Sequence, residues 1–284
     1  MPEISKDEII HELSSYFSGR SDVACAVLFG SLTGGRYGPL SDIDVAVYFY
    51  PQSSELEIEE DVFYDQEDEI WAHIDHATGR ETDLLVMNRV PARLVYTALS
   101  EGSVLQINDR ALFLKLLLTT GRMFEEYGEF SDSYLKIKAR STSLSAMDRD
   151  RLLRTLDFLE TELDDVKDFY GLSCDEFMKD SGKRRNVERW VENCVNASID
   201  AGKILLASEK QHIPQTYRET LVRLKTLGNF SPDLLDRLAA HTRLRNILAH
   251  EYLDIKFPYI DNFIRTAEEL YRDFIACVRR YIAE

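Results

Sequence analysis

The sequence predicts two domains of different class: an α+β domain in the first half of the chain and an all-α helical bundle in the second. Short apolar segments bounded by glycine or polar residues, which are typical of buried strands, occur in the first 110 residues. From about residue 148 onward, apolar residues instead recur at spacings of three and four, as in amphipathic helices. A chain of 284 residues can form two hydrophobic cores of ordinary size.

The individual elements follow from the same patterns. Four short apolar segments are predicted as strands, at residues 23–29, 43–49, 81–87 and 104–107. Helical spacing in the first half predicts helices at residues 6–18, 91–101 and 109–127. The second half contains four segments with helical spacing, at residues 151–170, 185–208, 232–252 and 259–282. We therefore expect domains at residues 1–127 and 148–284, with a linker or helix extension at residues 128–147.

Composition favours a folded, cytoplasmic protein. Hydrophobic residues make up 44% of the chain, and no apolar segment is long enough to cross a membrane or to act as an export signal at residues 1–20. The four cysteines are scattered, so we expect reduced thiols. The net charge of −16 arises mainly before residue 123. Such an acidic domain is a poor partner for polyanions unless a metal ion intervenes, whereas the second half can form local basic patches.

A cluster of polar residues at strand ends is the first candidate site. Gly30 and Ser31 follow the first predicted strand, and Asp42 and Asp44 open the second. Side chains alternate along a strand, so the two aspartates project from one face about 7 Å apart. Asp83, at the start of the third strand, can join them. Three clustered carboxylates repel one another unless a cation such as Mg²⁺ neutralises them, which predicts a metal site that also takes a nucleoside triphosphate.

The order of these motifs resembles a known family. A strand, Gly30-Ser31, a glycine-containing loop, the segment S-D-I-D-V-A-V and a later D-L-L-V followed by asparagine are similar to the minimal nucleotidyltransferase (MNT) family of the DNA polymerase β-like superfamily. The resemblance covers residues 5–125 and implies a mixed sheet with flanking helices. It implies that Gly30 and Ser31 hold the triphosphate of ATP and that Asp42 and Asp44 bind Mg²⁺. Asp83 would be a third metal ligand or the base for the attacking hydroxyl.

Other polar residues of the first half are weaker candidates. Asp75 and Glu81 lie near Asp83 in the sequence and are alternatives to it as the third carboxylate. The acidic segment 55–69 is interpreted as a solvated helix or loop because it lacks the fixed geometry of a strand. His73 and His76 are three residues apart, but no third ligand stands at a telling distance, so a metal site there is not favoured.

A second candidate site lies near the end of the third long helix of the second half. Arg245 and Tyr252 are seven residues apart and so nearly share a helix face, whereas Arg245 and His250 diverge by about 140°. Arg245 and His250 can converge on a groove, particularly one formed with a second copy across a two-fold axis. An arginine that holds a phosphodiester and a histidine that moves protons suffice for metal-free RNA cleavage through the ribose 2′-hydroxyl.

The segment R-N-I-L-A-H-E-Y, preceded by helices and followed by a long amphipathic helix, resembles HEPN proteins with an R-x4-H-x-Y motif. The resemblance covers residues 148–284. It implies ribonuclease activity of a homodimer through Arg245 and His250, with Asn246 as a further aid. Because many HEPN domains are non-catalytic scaffolds, a helical half that serves only for dimerisation remains an alternative.

The two families are known together as partners in type VII toxin-antitoxin systems. There the MNT protein transfers AMP to the motif tyrosine of the HEPN toxin, which implies Tyr252 as the acceptor here. AMP on Tyr252 would add bulk and negative charge beside the presumed ribonuclease residues and so silence them. An alternative function is a small-molecule nucleotidyltransferase of the aminoglycoside type, since those enzymes also carry a helical domain and an acidic surface suits polycations.

Overall fold

The computed structural model describes residues 5–32, 42–52, 56–140, 143–250 and 257–283. The chain forms two compact units, Met1–Tyr127 and Gly128–Glu284. The first is an α+β unit with a mixed sheet, and the second is all-α, so the predicted fold class is confirmed.

Among the described residues, eight α-helices and β-strands belong wholly or partly to the first unit. They are α1 (Lys6–Ser18), β1 (Val23–Phe29), β2 (Ile43–Phe49), α2 (Glu67–Thr78), β3 (Thr82–Val86), α3 (Ala92–Glu101), β4 (Ser103–Ile107) and the first part of α4 (Arg110–Arg140). Helix α1 begins where the sequence predicts because Ser5 and Glu8 form a reciprocal capping box.

The sheet has the strand order β3-β2-β1-β4, with β2 and β3 parallel and the other pairs antiparallel. Helices cover both of its faces. Residues of α1 and α2 pack on one face and residues of α3 and α4 on the other. Because both faces are buried, β1 and β2 are apolar runs except for Asp44, which is why these two strands were recognisable from the sequence.

Helix α2 is the element of the first unit that the sequence did not clearly predict. Its buried stripe consists mainly of Ile70 and Ile74, and acidic residues occupy its first turn. The last three residues of the acidic segment 55–69 therefore form the first turn of α2. His73 lies on this helix with its ring stacked on Tyr16 at a centroid distance of 3.7 Å, so its ring serves in packing.

In its described part, the helical unit contains the rest of α4 and six further α-helices. These are α5 (Ala146–Asp164), α6 (Cys174–Lys179), α7 (Ser181–Ser208), α8 (Tyr217–Arg223), α9 (Pro232–His250) and α10 (Phe257–Ala283). Helix α7 is buried nearly all round in its second half, as expected of a central helix. The short helices α6 and α8 were not predicted, because six or seven residues give too little periodicity.

The segment at residues 128–147 is largely helical. Helix α4 continues to Arg140, and α5 begins after Ser145, whose side chain caps it by accepting from the backbone N–H of Asp148. Arg140 also forms a bidentate ion pair with the buried Asp148 carboxylate. Burial alone would raise the pKa of Asp148, but the hydrogen bonds from Arg140 and Ser145 outweigh it and lower the pKa.

Three of the four cysteines, Cys25, Cys194 and Cys277, are buried, and all four are free thiols. Burial raises the pKa of Cys25 to about 12, which keeps this thiol protonated and unreactive near neutral pH. In the part of the chain that the structure describes, no helix combines the length and the apolar character that a membrane span requires.

His241 on α9 is a partly buried titratable group that packs against aromatic residues of the helical core. Its Nδ1 lies 3.3 Å from the hydroxyl of Tyr271, and its ring centroid lies 4.6 Å from that of Phe263. Burial, reinforced by the charge of Arg237, lowers the pKa of His241 to about 4. His241 is therefore neutral in the folded unit at pH 7.

This burial predicts a loss of stability in mild acid. Between pH 6.5 and about 4, His241 binds a proton in the unfolded chain but not in the folded one, so the free energy of unfolding falls as pH decreases. The full shift corresponds to about 3 kcal/mol. Urea unfolding at several pH values measures this change in the free energy of unfolding. The Trp71→Phe variant is used as the background, so that the fluorescence of the buried Trp190 alone reports on the helical unit.

His241→Gln should flatten this pH dependence, whereas His11→Gln, at an exposed site on α1, should leave it unchanged. A His241→Gln protein with the same acid sensitivity as its parent would contradict the assignment.

Candidate functional site

The parallel pairing of β2 and β3 brings the predicted carboxylates together. Asp44 and Asp83 are direct partners in the register, so their side chains leave the sheet on the same face. Asp42 directly precedes β2, two residues before Asp44, and its charge acts on the Asp44 carboxylate. On the other side of β2, Phe29 of β1 pairs with Asp44, and the chain then turns at Gly30.

Asp44 is the partly buried member of this carboxylate cluster, defined as Asp42, Asp44 and Asp83. Its pKa is raised above the ordinary value, chiefly by burial and also by the charges of Asp83 and Asp42. A hydrogen bond from the backbone N–H of Ser31 to its carboxylate acts in the opposite direction. This edge of the sheet therefore disfavours further negative charge, and a bound cation would relieve the repulsion.

Two observations show why position 30 requires glycine. Its φ is +74°, in the left-handed region that favours glycine, and a Cβ built on it would lie 2.0 Å from Oδ2 of Asp44. The family resemblance implied that Gly30 helps to hold the triphosphate of ATP. The structure shows a closer constraint, because the side chain of Asp44 itself occupies the space next to Gly30.

The donor set of this cluster suits Mg²⁺ shared with a nucleotide. Mg²⁺ prefers oxygen ligands and is commonly held by one or two carboxylates together with phosphate oxygens. Within the described residues, no three His, Cys, Asp or Glu side chains are placed so that they alone could hold a metal ion. The phosphate groups of a nucleotide would supply the remaining ligands. The predicted glycine-containing loop at residues 33–38 lies outside the described residues.

Arg245 of the second candidate site is only 9% exposed. Its Nε donates a hydrogen bond to Oδ1 of Asn196 on α7 at 3.0 Å, and its guanidinium carbon lies 5.1 Å from the ring centroid of Tyr217 on α8. Arg245 thus ties α9 to two other helices. The sequence did not indicate Asn196 and Tyr217 as its partners, because both are distant in the chain and neither belongs to a motif.

The other predicted residues of this site are only partly visible. His250 is the last residue of α9, and its side chain is not among the described ones. Tyr252 lies in the segment 251–256, outside the described residues. Asn246 is described, and its Oδ1 is buried without a hydrogen-bond partner among the described residues. The structure therefore does not bring Arg245, His250 and Tyr252 together within its described part.

Two family models match this chain, one in each unit. The model for the polymerase beta nucleotidyltransferases matches residues 11–111, and the model for HepT-like ribonucleases matches residues 159–278. The chain is a fused MNT–HEPN protein. Its first unit is a nucleotidyltransferase domain, and its second is a HEPN-type domain.

Individual proteins also resemble this MNT–HEPN chain. A tRNA nuclease HepT from Aphanizomenon flos-aquae (strain 2012/KM1/D3) is 26% identical over 127 residues, which are 45% of this chain and 86% of the relative. A toxin-antitoxin complex with AMP-PNP is 20% identical, with a TM-score of 0.43, over 46% of this chain and 98% of that chain. A tri-AMPylated Shewanella oneidensis HEPN toxin in complex with MNT antitoxin is 20% identical, with a TM-score of 0.42. The match covers 45% of this chain and 96% of that chain.

The contact between Gly30 and Asp44 predicts a specific defect in the MNT domain. Gly30→Ala places a Cβ against the carboxylate of Asp44 and should abolish binding of Mg²⁺ and ATP, measured by calorimetric titration. Gly79→Ala is the matched control, since Gly79 also has a positive φ of 62° but has nothing within 4 Å of a built Cβ. Each variant should lose about 1–2 kcal/mol of stability from backbone strain. Equal nucleotide affinity in the two variants would contradict this role of Gly30.

Proposed function

We propose that the N-terminal unit transfers AMP from ATP to Tyr252 and that this modification silences a ribonuclease in the helical unit. The observation that carries the proposal is the register that pairs Asp44 with Asp83 beside Gly30 and Ser31. This arrangement gathers carboxylates and a glycine turn at one edge of a sheet, as a metal-dependent nucleotidyltransferase requires.

In the proposed transfer, the phenolic oxygen of Tyr252 forms a bond to the α-phosphorus of ATP. The bond from that phosphorus to the pyrophosphate breaks, and pyrophosphate leaves. Asp83 accepts the phenolic proton if it serves as the base, whereas Asp42 and Asp44 would hold Mg²⁺. When bound, the metal supplies positive charge that neutralises the phosphates. The backbone N–H of Ser31 orients the Asp44 carboxylate for this role.

The ribonuclease assignment for the helical unit rests on its HepT-like match over residues 159–278 and on the relative that is a tRNA nuclease. We assign proton transfer at the ribose 2′-hydroxyl to His250, because a histidine titrates near neutral pH. Arg245 is required as well, since its contacts with Asn196 and Tyr217 fix the helix that carries His250. We infer that the substrate is RNA and that the helical units pair about a two-fold axis to complete the groove.

The proposed silencing has an electrostatic basis. AMP on Tyr252 would place a phosphodiester charge two residues beyond His250, where an RNA phosphate has to bind. The negative charge of the AMP phosphodiester would repel the RNA phosphate, and the added nucleotide would also occupy space in the groove. One polypeptide would therefore carry both the ribonuclease and the activity that keeps it inactive.

Intact-mass measurement before and after incubation with ATP and Mg²⁺ tests the transfer. The wild-type chain should gain mass in steps that match AMP, and Tyr252→Phe should gain none because it lacks the acceptor oxygen. Asp42→Asn and Asp44→Asn should also gain none, since each removes a carboxylate that would hold the metal.

Two further substitutions decide which acid is the third carboxylate. Asp83→Asn should reduce the rate at least a hundredfold if Asp83 is the base. Glu81 is exposed and lies directly before β3, two residues from Asp83. Glu81→Gln should change the rate of AMP transfer by no more than about twofold, because surface substitutions usually have small effects. Undiminished AMP addition in Asp44→Asn would overturn the metal assignment, and loss of transfer in Glu81→Gln alone would move the third carboxylate to that residue.

The second test concerns the latent ribonuclease. A chain with Asp42→Asn and Asp44→Asn together should degrade RNA in vitro and be toxic in cells, because it no longer modifies Tyr252. Adding His250→Ala should abolish both effects. Tyr252→Phe alone should escape silencing while it retains cleavage. If the transferase-inactive protein is folded, dimeric by light scattering and leaves RNA intact, the helical unit is a scaffold and the ribonuclease proposal fails.

A further inference from the structure

A cavity of about 370 Å³ lies between α9 and α10 in the helical unit. Its volume is within the range of small-molecule sites. Its walls come from two helices and include Arg237, Arg243, Leu244 and Ile247 on α9, and Tyr259 and Asn262 on α10. The proposed function does not use this cavity.

The charge of the cavity is opposite to that of the protein. Two arginines, Arg237 and Arg243, line it, and none of the described residues that line it is a carboxylate, although the chain carries a net charge of −16 and Arg237 lies 3.9 Å from the exposed Asp233. A second cavity of the same unit, about 430 Å³ between α5 and α7, is different, since four carboxylates and two cations line it. The α9–α10 cavity is therefore suited to an anionic group and the second cavity is not.

An aromatic ring adds a stacking surface beside the arginines. The guanidinium carbon of Arg243 lies 6.0 Å from the ring centroid of Tyr259, and Tyr259 is 41% exposed. Leu244 and Ile247 form a buried apolar wall. Asn262 on α10 offers an amide. A flat ring, an apolar wall, an amide and two guanidinium groups are together the contacts that a base with an adjoining phosphate uses.

Helix geometry places this cavity on the same face as position 250. Arg243 and His250 are seven residues apart, so their positions differ by about 20° around α9 and about 10 Å along it. Arg245 is rotated by about 160° from Arg243 and contacts Asn196 and Tyr217 instead. Arg243 is thus the arginine of this segment that shares a face with position 250.

We propose that the α9–α10 cavity is a nucleotide subsite of the ribonuclease, in which Arg243 and Arg237 hold a phosphate and Tyr259 stacks on the adjoining base of single-stranded RNA. The inference rests on the proposed function and adds to it the residues that bind the substrate. It assigns to Arg243 the phosphate contact that sequence reasoning gave to Arg245. Arg245, buried between helices, then acts as a positioning residue.

RNA binding by the full-length chain tests the inference without cleavage. The background carries Asp44→Asn and His250→Ala, so that neither AMP addition nor RNA hydrolysis intervenes. The probe is a fluorescent single-stranded oligoribonucleotide, and its anisotropy is measured over a range of KCl concentrations. Arg243→Gln should weaken binding about tenfold and reduce the slope of log K against log salt by about 0.7, the value for one phosphate contact to a single strand.

Tyr259 provides a graded test of stacking. Tyr259→Leu should weaken binding by about fivefold or more, as expected when a base loses its aromatic partner, whereas Tyr259→Phe should retain affinity because it keeps the ring. Lys183→Gln, which removes a cation from the wall of the acidic cavity, is the matched control and should change neither the affinity nor the salt slope. Arg245→Gln should leave the salt slope unchanged.

Each alternative result has a definite meaning. RNA binding that is unaffected by Arg243→Gln and Tyr259→Leu would overturn the subsite, and if these variants change the oligomeric state instead, the cavity is an interface between copies. If a fluorescent AMP analogue binds in a manner dependent on Tyr259 while the oligonucleotide does not, the occupant is a free nucleotide and the RNA assignment is wrong. RNA cleavage by the chain with Asp44→Asn and His250 intact tests the proposed function separately, so failure of the subsite and failure of the ribonuclease are distinguishable.

Discussion

Asp44 is held between two constraints, and the first unit is organised around them. On one side it lies against Gly30, where no side chain fits, and on the other it pairs with Asp83 across the parallel strands. Burial and the neighbouring carboxylates raise the pKa of Asp44, which means that its negative charge is destabilised at this end of the sheet. Elsewhere, β2 is buried on both faces by helices. A rigid sheet therefore ends in a cluster of acids that a cation would stabilise, as expected of a site that is prepared before its ligand binds.

The features that sequence predicted well are those with a local cause. β1 and β2 are apolar runs except for Asp44, and the D-x-D spacing puts Asp42 directly before β2, two residues from Asp44. Helix α2 was unclear because its short apolar stripe lies among acidic residues. The burial of Arg245 was not predictable for another reason. Its partners come from α7 and α8, and only tertiary packing brings them to α9.

Helix α9 separates two tasks by its faces. The face that carries Arg245 holds the helix against α7 and α8, and the face that carries Arg243 borders the cavity shared with α10. The two arginines therefore differ in what they can contact. Arg245 is buried against α7 and α8, whereas Arg243 lines the cavity. The arginines of the cavity give a strongly acidic chain a locally positive surface, which the proposed RNA subsite requires.

The most direct test of the central claim is a crystal structure of the full-length chain with Mn²⁺ and a non-hydrolysable ATP analogue. Mn²⁺ accepts the same oxygen ligands as Mg²⁺ and is located by its anomalous scattering. We expect an anomalous peak beside Asp44, within ligand distance of Asp42 or Asp83, with the triphosphate next to Gly30 and Ser31. A bound nucleotide without metal at these carboxylates, or a metal peak elsewhere in the unit, would contradict it.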